Sequence, residues 1–143
     1  MAWITPKTDW TGGTSADGIY VGDRFNAVDF NRIKNNLEHL REVAIKLYDK
    51  FEINALGADR TASDYFYADE INKLEENLII INRNTLKRSY GTPPTYVDNG
   101  KTMDFKELNR LEGAILDLYG RLTNESEGRR MFTWNFGMKG GEF

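Results

Sequence analysis

The chain has 143 residues, 40% of them hydrophobic and 29% charged, and a formal net charge of −3. That size and balance describe one domain with its own core, and interspersed charges leave no basic stripe for gripping a nucleic acid. With no cysteine, disulfide frameworks, thiolate metal sites and cysteine nucleophiles are excluded.

Residues 1–25 read as an extended N-terminal arm, with Trp3, Trp10 and Tyr20 set among Thr, Gly and Asp and no helical period. The start, MAWITPKTDW, has neither the basic opening nor the long apolar stretch of a secretory signal. The first helix is expected near 26–51, where Phe30, Ile33, Leu37, Leu40, Ala44, Leu47 and Phe51 alternate by three and four. A connector follows over 52–64, with Gly57 a plausible helix C-cap and room for a short helical turn.

The second helix is expected near 67–87, on Ile71, Leu74, Leu78 and Ile81, and then Thr85. Its apolar run Leu78-Ile79-Ile80-Ile81 is far too short to cross a bilayer, so no membrane association is expected. Gly91, Pro93, Pro94 and Asn99-Gly100 break the next stretch, 87–102. The third helix is expected near 104–123, on Leu108, Leu111, Ile115, Leu118 and Leu122. The fold class is therefore all-α: a three-helix bundle spanning 26–123, flanked by extended aromatic segments.

The helices repeat one another. DFNRIKNNL (29–37), EINKLEENL (70–78) and ELNRLEGAI (107–115) share one register, with Asn31, Asn72 and Asn109 each followed by a basic residue. Asn26, Tyr67 and Asp104 fall at the N-cap, with Asp29, Glu70 and Glu107 placed as in a capping box. Phe25, Phe66 and Met103 precede the caps and pair in register with Phe30, Ile71 and Leu108 as hydrophobic staples. Asn is a poor interior helix residue, so each repeated amide is expected to bond the backbone of a neighbouring loop. The other reading is a solvated boundary residue left over from duplication.

Residues 124–143 are expected as an extended C-terminal tail. Phe132, Trp134 and Phe136 alternate with Thr133 and Asn135 in the period of a strand with one apolar face, and Phe143 ends the chain. Both tails either lie on the bundle and complete its core or dock on neighbours by strand addition. On the second reading Trp3, Trp10, Phe132, Trp134, Phe136 and Phe143 are the partner-binding candidates.

Catalytic patterns are missing. The lone His39 cannot form a two-His metal site and reads as a surface residue; no GxSxG is present, and GMKGGEF lacks the spacing of a phosphate loop. DNGKTMD (98–104) lacks the acidic ladder of a calcium loop, which leaves Asp104 as a helix cap. The pair Glu75-Glu76 reads as an ordinary exposed helix face. No enzyme activity, cofactor or metal is expected.

The stretches W-x-TPKTDW and GDRFNAVDFNRIKNNLEHLRE, with the ending FTWNFGMKGGEF, resemble small proteins encoded among the tail and baseplate genes of bacteriophages and prophages of Gram-positive bacteria. The resemblance implies a non-enzymatic virion structural protein, made in the host cytoplasm and located in the tail. It would act as an adaptor or attachment component in a tail, baseplate or fibre assembly. Its implied partners are other virion tail proteins and further copies of itself. The alternative is a receptor- or cell-wall-glycan-binding module whose Trp and Tyr rings stack on sugars.

Overall fold

A computed structural model describes residues 3–19, 21–61, 68–97 and 103–138, with side chains described as far as Gly128. Among the described residues there are three helices and no strand: α1 (Ala27–Leu47), α2 (Ala68–Arg83) and α3 (Phe105–Met138). Each packs on the other two, giving the all-α three-helix bundle that the apolar spacing predicts.

The helix starts follow the capping chemistry. Asn26 accepts from the N–H groups of Val28 and Asp29, and the Asp29 carboxylate accepts from the Asn26 N–H at 3.0 Å, which closes the capping box. At α3 the Asp104 side chain accepts from the Glu107 N–H at 2.9 Å, while the Glu107 carboxylate turns to Arg110. The expected cap and staple residues of the second start, Tyr67 and Phe66, lie outside the described residues.

The three stripes meet in one core. Phe30, Ile33, Leu37 and Leu40 from α1, Leu74 and Ile81 from α2, and Leu111, Ile115, Leu118 and Leu122 from α3 are fully buried. Burial of such side chains contributes about 1.5–3 kcal/mol each, so this cluster dominates the folding energy.

The helix ends differ from expectation, each for a local reason. α1 stops at Leu47 rather than near 51, because Arg41 donates to the Phe51 carbonyl at 2.8 Å and to the Glu52 carboxylate at 3.1 Å. Those bonds draw the chain out of the helix into an extended path. α2 stops at Arg83 rather than 87. There the Asn82 amide engages both backbone groups of Arg88 (2.9 and 2.6 Å), and Lys87 turns back at φ +53°. The described part of the first connector, through Thr61, is extended and holds no helical turn; Gly57 lies midway along it at φ +77° instead of capping a helix.

The largest correction concerns the C-terminus. The backbone of residues 124–138, expected to be extended and strand-like, is helical to Met138. A lone strand leaves its hydrogen-bonding groups unpaired, whereas a nucleated helix closes one bond with each residue added.

Three extended segments wrap the bundle as straps: the N-terminal arm, the connector between α1 and α2, and the connector between α2 and α3. The arm continues into a loop in which Asp23 N–H donates to the Thr11 carbonyl at 2.9 Å and Val21 N–H to the Gly13 carbonyl at 3.0 Å. Gly12 is required there, since a Cβ would clash with the Phe105 ring at the start of α3.

Candidate functional site

The repeated Asn residues hold the straps. Asn109 accepts from the Trp10 N–H at 2.8 Å and donates to the Trp10 carbonyl at 3.0 Å. Asn31 does the same to Arg60 (2.7 and 2.9 Å), and Asn72 to Tyr96 (2.9 and 2.9 Å). Each amide thus completes a backbone residue that no strand partner serves, and the loop-tying reading holds in all three repeats.

A second set of clasps lies farther along the helices. Asn36 brackets the backbone of Ile4 at 3.0 and 2.7 Å, and Asn77 brackets Asn54 at 2.7 and 3.0 Å. Each strap therefore bridges two helices: the arm joins α1 to α3, and the first connector joins α2 to α1. The matching place on α3 is Ala114, which carries no amide. The second connector is held there by its Tyr90 side chain, whose hydroxyl donates to Asp117 at 2.7 Å.

One turn beyond each clasping Asn, under the middle of each strap, a charged residue is buried: Lys34 (2% exposed), Glu75 (3%) and Glu112 (0%). Their surroundings are not alike. Glu112 Oε1 accepts from the Lys7 N–H (3.1 Å) and Arg32 Nε (2.7 Å), and its Oε2 from Arg32 Nη2 (2.8 Å) and Trp10 Nε1 (2.5 Å). Four donors saturate that carboxylate, and the strap supplies two of them. Lys34 donates to the Gly57 carbonyl at 2.8 Å and pairs with Asp59 at 2.9 Å, both from its strap. The Lys34 hydrogen bond, with one from Asn35, holds the Asp59 carboxyl below the usual carboxylate range.

Glu75 is the exception. Its Oε2 pairs with Arg110, which also binds Glu107 at 2.7 Å and donates to the Tyr90 carbonyl at 3.3 Å. Its Oε1 is buried without a hydrogen-bond partner, as is the hydroxyl of Tyr96 above it on the same strap. Proline explains one gap: where the arm offers the Lys7 N–H, this strap has Pro93, which carries none, while the Tyr96 phenol, at the place of the Trp10 indole, makes no hydrogen bond. Burial pushes the Glu75 carboxyl up to about 7, against the opposing pull of Arg110.

Glu75 also lines a cleft of about 290 Å³ between α2 and the second connector, with Asn82, Arg83, Arg88, Tyr90 and Thr92 around it. Gly91 helps keep the cleft open: it sits at φ +80°, and a Cβ there would approach Arg110 Cδ to 3.0 Å.

The residues expected to bind partners are not gathered into one site. Trp10 is 4% exposed, hydrogen-bonded to Glu112, and part of the core. Trp3 is half-buried and stacks on Tyr119 at 3.8 Å with His39 beside both rings, so His39 is not the plain surface residue expected. For the arm, the reading in which a tail completes the core is the one observed. Phe132, Trp134 and Phe136 fall within the last turns of α3, and Phe143 lies outside the described residues.

Glu75, expected on an exposed face, is buried instead. Sequence reading passed over Lys34, Glu75 and Glu112 as a set, although their common offset from the repeated Asn was available as a signal.

Among the described residues no group of three His, Asp or Glu side chains could hold a metal ion, and no helix is long and apolar enough to cross a membrane. No protein-family model matches the chain, and no curated protein or solved structure matches it either.

Proposed function

We propose that the chain is a non-enzymatic structural adaptor of a phage tail, baseplate or fibre attachment point, docking through the C-terminal half of α3. The observation that carries this reading is the continuation of α3 past the described part of the core. Among the described side chains, which end at Gly128, the last buried one of α3 is Leu122, while the helical backbone continues to Met138, about 24 Å farther at 1.5 Å per residue.

Residues 129–138 carry docking chemistry in their sequence. Met131, Trp134 and Met138 recur at helical spacing, as do Phe132 and Phe136. The fitting mode is an amphipathic helix laid in a partner's groove, rather than the strand addition that the alternating aromatics suggest. The phage resemblance of the first fifty residues and the aromatic ending supplies the setting, with other tail proteins and copies of the chain as partners.

Truncation after Gly128 tests the reading. The shortened chain is expected to melt cooperatively near the full-length temperature and to lose self-association in light scattering and co-assembly with tail proteins. A truncated chain that unfolds, or one that assembles as before, would contradict it.

A further inference from the structure

We propose that the cleft between α2 and the second connector binds one phosphate group, carried on a small organic body, through Arg83 and Arg88. The site uses no residue of α3 beyond Arg110, so it stands whether or not the end of that helix docks.

The charge of the lining comes first. Three arginines and one carboxylate line the cleft, a positive wall on a chain whose net charge is −3. Arg110 and Glu75 spend their charges on each other. Arg88 meets Asp117 at 3.4 Å, with the two side chains 42% and 38% exposed, and Asp117 also accepts from the Tyr90 hydroxyl at 2.7 Å and pairs with Arg121 at 3.0 Å. Arg83 is exposed and makes no ion pair or hydrogen bond among the described residues. One guanidinium is thus free, and a second is held only by a weak surface pair.

An arginine in the last turn of a helix ordinarily answers the open carbonyls there. Those of α2 are already served. The Ile80 carbonyl accepts from the Asn84 amide at 2.8 Å, that of Ile81 from the Thr85 hydroxyl at 2.8 Å, and that of Asn82 from the Lys87 N–H at 2.9 Å. Arg83 is not needed at the helix end, and the carbonyls that would repel an anion are occupied. Across the cleft, the clasp of Asn82 on the Arg88 backbone fixes where the second guanidinium leaves the connector.

The two walls select the anion. Arg83 lines the cleft from α2; Arg88 lines it from the connector, together with Ser89 and Thr92. A carboxylate presents two oxygens in one plane, which a single guanidinium fork fills. A phosphate presents oxygens in three directions, and donors on opposite walls can share it. The volume of about 290 Å³ lies at the lower end of the range for small-ligand sites, enough for one such group and a small body. Leu78, Ile79 and Pro93 give that body apolar surface.

Two-dimensional amide NMR on the full chain at low ionic strength tests this, with phenyl phosphate, inorganic phosphate, benzoate and benzyl alcohol as probes. Phenyl phosphate is expected to give saturable shifts at Asn82, Arg83 and residues 88–92. Inorganic phosphate is expected to bind there more weakly, benzoate more weakly still, and benzyl alcohol not at all. Arg83→Gln is expected to weaken phenyl phosphate binding about tenfold with an unchanged melting temperature, the worth of one hydrogen-bonded charge. Added sodium chloride is expected to weaken it in the unaltered chain as well. No saturable shift with phenyl phosphate, equal or tighter binding of any other probe, or binding indifferent to Arg83→Gln or to salt would overturn the proposal.

Discussion

Glu112 and Glu75 occupy the same place in their repeats, and both are almost wholly buried, yet one carboxylate is saturated and the other is not. The helices do not make the difference, since each glutamate has an arginine from a neighbouring helix. The strap does. The N-terminal arm delivers a backbone N–H and an indole N–H, and the second connector delivers neither. A junction built by duplication is thus finished or left open by a few residues of crossing backbone, and the open one coincides with a cleft.

Removing each carboxylate separates the two junctions most strongly. Glu112→Leu leaves the Lys7 N–H and the Trp10 indole without their acceptor and Arg32 with Asp29 alone, and is expected to cost about 3–5 kcal/mol in denaturant unfolding. Glu75→Leu is expected to cost clearly less, because no strap donor loses an acceptor and Arg110 keeps Glu107 and the Tyr90 carbonyl. Equal costs would break the comparison.

The clasps come next. Asn109→Ala removes two hydrogen bonds to Trp10 and is expected to cost about 2 kcal/mol, far more than a surface substitution. Asn31→Ala and Asn72→Ala are expected to behave alike, and an unchanged melting temperature in any of them would remove that clasp from the account. Ala114→Asn, which restores the amide that α3 lacks, is expected to stabilise by about 1 kcal/mol. A loss of stability there would mean that the second connector runs out of reach of that amide.

The last effect is that of pH. Glu75 is raised from 4.5 to about 7, so the folded state holds a proton that the unfolded state releases. Its contribution is complete below pH 4.5 and fades as pH rises toward and through 7, by about 3 kcal/mol at most. The stability difference between the native chain and Glu75→Gln is expected to follow that course across pH 4 to 8, and a flat difference would show an ordinary carboxyl. Tyr96→Trp combined with Pro93→Lys, which copies the arm's two donors, is expected to flatten it.

Much of this was legible in the sequence, and the limits are physical. The three apolar stripes were plain because helical periodicity is local, and the Asn pattern pointed to loop contacts because an interior Asn needs a partner. The path of each strap was not legible, since it depends on which helix an amide meets across dozens of intervening residues. For that reason Trp10 looked free, although it sits in the core. Glu75 looked exposed because its neighbour Glu76 is a solvated residue of the same type. The alternation of Phe132, Trp134 and Phe136 suited a strand, but among the described residues there is no strand to pair with it.

Native-state hydrogen exchange at the strap amides is the most direct test of the central claim, that extended segments clasped by asparagine belong to the folded core. The N–H groups of Trp10, Arg60 and Tyr96 lie outside every helix, yet each donates to an Asn side chain at 2.7–2.9 Å. They are expected to exchange as slowly as core helix amides, with Tyr96, on the strap that has one amide clasp, the fastest of the three. Exchange at the rate of open loop amides in all three would show that the straps are not held.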